Sequence, residues 1–157
     1  IGRVSIIRPS ANILSTHYNT LSKLNCILAS IEANKLKYDE GIMNDPYGNI
    51  STCNSTNLFF IKEGQVWTST GKFCLNGITR SKAIHICHIN KIPCIETNFT
   101  FEDIKDCEEA FVTGTFAGII PVSKIEKYEL SSTNSNSLVN KIRVSYNQYI
   151  NQYISSQ

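Results

Sequence analysis

Two short segments carry residues that could hold an anion. Asn76-Gly77-Ile78-Thr79-Arg80 reads as a loop entering a helix, and Val112-Thr113-Gly114-Thr115-Phe116-Ala117-Gly118 as a strand running into a turn of glycine and hydroxyl residues. A helix start exposes unpaired N–H groups and partial positive charge, and a threonine there adds a hydroxyl. Gly77 and Gly114 allow the backbone to approach an anion closely. Either turn alone is of a kind that commonly closes a loop or caps a helix. Two of them in one chain point to a phosphorylated cofactor.

The elements that must position these turns follow from apolar spacing. Arg3 to Ile7 reads as a strand, and Pro9 to Thr20 as a polar, irregular stretch leading away from it. Leu21, Leu24, Leu28 and Ile31 recur at helical spacing and predict a helix from about Thr20 to Lys35, its apolar stripe facing a core. Two hairpins are expected next: Glu40 to Asn44 with Ile50 to Thr52 around the Asp45–Asn49 turn, and Leu58 to Lys62 with Gln65 to Thr68 around Glu63-Gly64. A second helix spans about Thr79 to Asn90 and stops before Pro93, and Cys94 to Glu96 forms a short strand. Phe101 to Asp106 is predicted as a short helix capped by Thr100. Strands at Ala110 to Thr113 and Ile119 to Lys124 flank the second anion-binding turn. After a polar loop from Ser131 to Ser137, a helix from about Leu138 to Tyr153 aligns Val139, Ile142, Tyr146 and Ile150 on one face.

With 157 residues, 41% of them hydrophobic, the chain can bury the core of one domain. The net charge of +2 comes from scattered basic residues, which gives nucleic-acid binding little support. Apolar runs such as Phe116 to Val122 fall far short of the roughly 20 residues that span a bilayer, so no membrane association is expected. The six cysteines show no CxxC pair, and reduced, mostly buried thiols in a cytoplasmic protein are expected. His85, Cys87 and His88 lie at spacings that do not share one helical face, so no metal is expected there. Three glycosylation sequons and the even cysteine count leave open a secreted, disulfide-linked module. The chain opens at Ile1 in strand-like sequence without a signal-peptide pattern, which suggests a fragment whose N-terminal part is missing.

From about Ile7 to Tyr149 the order of segments resembles the large domain of the class IV aminotransferases, the fold-type-IV pyridoxal phosphate enzymes. The segments that carry the resemblance are Leu24-Asn25-Cys26-Ile27-Leu28-Ala29, Ile31-Glu32-Ala33, Asp39-Glu40-Gly41, Ser51 to Phe59, Gly77-Ile78-Thr79-Arg80 and Val112 to Val122. It implies an α+β fold, mixed α and β, with mixed, barrel-like sheets and packed helices. Residues 1–20 would form a strand and interdomain linker and residues 21–157 the cofactor-binding large domain, after a small N-terminal domain that this chain lacks. It also implies pyridoxal 5'-phosphate as cofactor, an amino acid of branched-chain or D type and a 2-oxo acid as substrates, and a cytoplasmic homodimer.

The resemblance assigns site residues and exposes two departures. Family members carry a lysine in a segment like K-T-L-N-Y-L, and the ungapped match puts Asn19 there, which cannot hold the cofactor covalently. Lys23, about one helical turn on, is the candidate to take over as cofactor lysine and proton shuttle, and a less typical branch of the family is similar to this chain in that arrangement. A glutamate that keeps the ring nitrogen charged is matched by Thr52, whose hydroxyl can bond the nitrogen but brings no charge. Ile78, Thr79, Gly114 and Thr115 would form the phosphate cup, with Arg8 adding charge. Asn57 would support the loop, and Phe116, Ala117 and Gly118 would line the substrate side or serve as core. Asn19 and Thr52 keep open a non-catalytic protein of the same fold, and a lyase similar to aminodeoxychorismate lyase is the other alternative.

Overall fold

A computed structural model describes residues 1–10, 12–16 and 18–155. Its three helices are α1 (Leu24–Lys35), α2 (Ile78–Ile89) and α3 (Leu138–Ser155). The strands are β1 (Gly2–Arg3), β2 (Gly41–Asn44), β3 (Ile50–Cys53), β4 (Asn57–Lys62), β5 (Gln65–Thr68), β6 (Cys94–Glu96), β7 (Glu109–Gly114), β8 (Gly118–Pro121), β9 (Lys124–Ile125) and β10 (Tyr128–Glu129). They form a five-stranded sheet ordered β6-β5-β4-β7-β8, a three-stranded sheet ordered β1-β2-β3, and the small β9–β10 hairpin. Parallel pairs (β1 with β2, β5 with β6) and antiparallel pairs coexist, so the sheets are mixed as expected.

Alternation along the central strands sorts two cores. Leu58 and Phe60 of β4 join Ala110 and Val112 of β7 on the face toward the three-stranded sheet, where Ile42, Ile50 and Phe99 complete the layer. Phe59 and Ile61 join Phe111 on the other face and pack against Ala83, Ile86, Val139 and Ile142 of α2 and α3. Phe59 and Phe111 stack there with centroids 4.6 Å apart. With both faces covered, β4 reads as a near-continuous apolar run. A third, smaller core seats α1 on the three-stranded sheet through Ala29, Ala33, Val4 and Met43.

Two local expectations are corrected. The stripe of Leu21, Leu24, Leu28 and Ile31 does not face a core: these residues are exposed, Leu21 fully and Leu24 by 65%, while the small Ala29 and Ala33 bring α1 close to the sheet. Leu21 also precedes the helix, which starts at Leu24. Phe101 to Asp106 is a run of turns. Thr100 sends its N–H and its hydroxyl to Asp103 (2.7 and 2.8 Å), and the next bonds, Lys105 to Glu102 and Cys107 to Ile104, reach back only three residues. Without a continuing ladder of four-residue bonds no α-helix propagates.

Candidate functional site

A cleft of about 220 Å³ opens where β3 leaves one sheet and β4 enters the other. Its walls are the segment after β1, the first turn of α1 and the β3–β4 loop. Arg8 and Lys23 both line it, and among the described residues of its wall there is no aspartate or glutamate. Such a lining favours an anionic ligand.

Lys23 sits at the N-cap of α1 and is exposed. Its carbonyl takes the first helical bond from Ile27 at 2.9 Å, which ties its backbone to the helix start, and its ammonium is left to the cleft. Asn19, Thr20 and Ser22 line the same wall. Arg8 is oriented by two bonds, Nε to the Phe73 carbonyl at 3.0 Å and Nη1 to Cys26 Sγ at 2.8 Å. A guanidinium has five N–H donors, so others remain for a ligand.

Thr52 lies opposite, at the end of β3, and is 5% exposed. Its hydroxyl donates to the Thr56 carbonyl at 2.7 Å. The neighbouring Cys53 thiol lines the cleft too; burial, helped by the nearby Glu40 charge, pushes its pKa well above the ordinary thiol value. It is therefore a structural rather than a nucleophilic thiol.

The two glycine turns singled out in the sequence lie beside the cleft rather than in its lining. Ile78, Thr79 and Arg80 precede the first helical bond, Ser81 to the Gly77 carbonyl at 3.0 Å, so their N–H groups have no helical acceptor, and Gly77 offers no side-chain cap. Thr79 is buried and its hydroxyl makes no side-chain hydrogen bond among the described residues, while the Ile78 side chain is 76% exposed, leaving only its backbone to act. Gly114 and Gly118 close the β7–β8 hairpin, with Thr115 and Phe116 exposed at its tip. Phe116 is fully exposed and belongs to no core.

Two packing contacts connect the turns to the cleft wall. A Cβ on Gly77 would stand 2.6 Å from Asn57 Oδ1, and one on Gly114 would stand 3.4 Å from Thr56 Cγ2. Asn57 also donates to the Leu75 carbonyl at 2.9 Å, fixing the approach to α2. Lys23, Arg8 and Thr52 are thus brought together, and Ile78, Thr79, Gly114 and Thr115 adjoin them across Thr56 and Asn57. Sequence reasoning missed Cys26, Thr56 and Glu40. Glu40 accepts a bond from Thr56 Oγ1 at 2.7 Å, and its only sequence signal was its place in Asp39-Glu40-Gly41.

His85 and His88 are exposed while Cys87 is buried on α2, and no group of three metal-ligating side chains occurs among the described residues. All six cysteines are free, and no described helix is long and apolar enough to cross a membrane.

Comparison with known proteins gives a consistent picture. The family model described as Amino-transferase class IV matches residues 3–125. The chain is 36% identical over 76% of its length to branched-chain-amino-acid aminotransferase-like protein 2 of Arabidopsis thaliana, covering 21% of that protein. It is 29% identical over 83% of its length to a D-alanine aminotransferase of Listeria monocytogenes, covering 45% of it. Among solved structures, the branched-chain aminotransferase of the archaeon Thermoproteus uzoniensis with norvaline superimposes with a TM-score of 0.86 at 30% identity, covering 94% of this chain and 49% of that one. The chain therefore spans between about a fifth and a half of the relatives it matches.

Proposed function

Because the chain belongs to the class IV aminotransferase family, we propose that it is the cofactor-binding part of a pyridoxal phosphate-dependent enzyme. The reaction is amino transfer between an amino acid of branched-chain or D type, the amino-acid classes named in its relatives, and a 2-oxo acid. The observation that carries this reading is a cleft with two cations and no carboxylate among its described lining residues, beside the uncapped start of α2 with its unpartnered Thr79 hydroxyl. That donor set fits a phosphate ester.

Ile78 and Thr79 would hold the phosphate by N–H groups and a hydroxyl, with Gly114 and Thr115 closing the other side and Arg8 adding charge. When bound, the cofactor supplies an aldehyde carbon that takes up amines and a ring that draws electrons from the substrate carbon. Thr52 would meet the ring nitrogen with a neutral oxygen. Lys23, on the rim opposite, would bring its Nζ to the aldehyde carbon and move protons there once free. Residues 1–20 serve as strand and linker from a small domain, and residues 21–157 as the large one. The uncovered apolar stripe of α1 supports pairing with a second copy into a homodimer, and six free thiols support a reducing, cytoplasmic setting.

A second reading, a binding protein without turnover, is favoured by Asn19 and by the neutral Thr52 in the cleft. Borohydride treatment of the chain mixed with pyridoxal phosphate, followed by peptide mapping, separates the two. A reduced cofactor fixed on Lys23 supports the enzyme. Binding that leaves every lysine unmodified overturns the role of Lys23 and supports the binder. Release of pyruvate without an amino acceptor would instead identify a lyase.

A further inference from the structure

The β3–β4 loop, which lines the cleft, is clamped by Glu40 and Gly41, which do not. Asn54 and Gly41 exchange two bonds: the Asn54 N–H to the Gly41 carbonyl at 3.0 Å, and the Gly41 N–H to Asn54 Oδ1 at 2.6 Å. Next to them the Glu40 carboxylate accepts from Thr56 Oγ1 at 2.7 Å and from Ser55 Oγ. Two hydroxyls and one amide are thus fastened to Glu40-Gly41, well back in the chain. The clamp fixes the direction of the Thr56 carbonyl, which accepts the Cys53 N–H at 3.0 Å and the Thr52 hydroxyl at 2.7 Å.

A carbonyl oxygen only accepts, so the Thr52 proton must lie on the bond to Thr56. Thr52 then offers the cleft nothing but lone pairs. We propose that Glu40 is a positioning residue which, through Thr56, holds Thr52 as an acceptor and makes the cleft selective for an aromatic ring nitrogen that carries its proton. This rests on the cofactor reading above. A neutral pyridine nitrogen would set its own lone pair against those of Thr52. Turning the hydroxyl round to donate would break the bond to a carbonyl that is held in place by the Glu40 clamp. A pyridinium N–H donates to Thr52 with no rearrangement at all. Selection therefore works by the polarity of a hydrogen bond, in place of the ion pair that a carboxylate at position 52 would make.

The full chain loaded with pyridoxal phosphate labelled with ¹⁵N in the ring tests this, because the ¹⁵N shift reports the proton on the nitrogen whether or not any reaction occurs. At pH 7.5 the wild type is expected to show the protonated ring. Thr52→Val, which keeps the shape and removes the acceptor, should show the unprotonated ring and bind about tenfold more weakly. Glu40→Ala should move the shift the same way. Should Glu40→Ala fail to fold, Thr56→Val keeps the Thr56 carbonyl but removes the Glu40 contact that orients it, and carries the same expectation. A purely structural role for Glu40 would change stability and leave the ¹⁵N shift alone. Bound wild type with an unprotonated ring, or clamp variants that bind with an unchanged shift, would overturn the proposal while leaving the cofactor reading intact. Wild type that retains no cofactor would overturn both, and is seen directly as the absence of a bound signal.

Discussion

Thr79→Val isolates the phosphate contact from the fold. The two side chains are nearly isosteric, and Thr79 is 6% exposed on the face of α2 that meets the sheet. Its hydroxyl makes no hydrogen bond among the described residues, so the substitution removes no protein hydrogen bond and takes an unpaired polar group out of a buried position, and stability should hold or rise slightly. A phosphate bound at the start of α2 would accept that hydroxyl in a charge-assisted bond. Losing such a bond costs about 1.5 to 3 kcal/mol, a rise of roughly ten- to a hundredfold in Kd. Titration of the full chain with pyridoxal phosphate, followed by absorbance, gives Kd, and urea unfolding of the same samples gives stability. Pyridoxal without its phosphate is the control, and its weaker binding should be the same for wild type and variant. A large loss of stability with unchanged Kd would show that Thr79 belongs to the packing and that the phosphate lies elsewhere.

Two further outcomes follow from the titrating groups. Cys94 accepts a hydrogen bond from Cys87, which lowers its pKa and raises that of Cys87, while burial and the adjacent Glu108 push Cys107 up to about 11. At pH 7.5 a thiol reagent should label Cys94 well before Cys107, although both are half-buried, and Cys53, Cys74 and Cys87 only on unfolding; peptide mapping over time checks the order, and Cys107 reacting first would refute it. Glu32 accepts the N–H and the hydroxyl of Ser5, both at 2.8 Å, which lowers its pKa from the usual 4.5. A carboxylate whose folded pKa is depressed stabilises above its unfolded value and loses that contribution as pH falls through the folded one. Wild type should thus exceed Glu32→Gln in urea stability at neutral pH, and the gap should close as pH falls below about 4.5. A gap of constant size across that range would show that the loss is one of packing.

Much of the frame was legible in the chain itself. Turn residues at Asp45–Asn49 and Glu63-Gly64 located both hairpins, the stop before Pro93 bounded α2, and helical spacing of Val139, Ile142, Tyr146 and Ile150 located α3, because such a spacing records which side of a helix is dry. The α1 stripe shows the limit of such patterns. Leu24, Leu28 and Ile31 announce an apolar face, but a pattern does not say what covers it, and here Ala29 and Ala33 do the packing because their small side chains let the helix sit close to the sheet. Phe101 to Asp106 fails for a related reason. Asp103 satisfies Thr100 locally, and so short a run offers too few helical bonds to offset the cost of starting a helix.

The candidate site divides the same way. The sequence by itself determined its chemical kinds: glycines beside hydroxyls at two turns, a lysine four residues past Asn19, and a threonine in place of a charge. Those are properties of side chains and short spacings, written in the order of residues. Only the tertiary structure decided that Lys23 and Thr52 share a cleft, that the two glycine turns adjoin it across Asn57 and Thr56, and that Glu40 bonds the Thr56 whose carbonyl takes the Thr52 hydroxyl. Those relations rest on a shared lining, on close packing of distant segments and on hydrogen bonds with a definite donor and acceptor. They exist only once two sheets have packed and brought the β3–β4 loop against the start of β2.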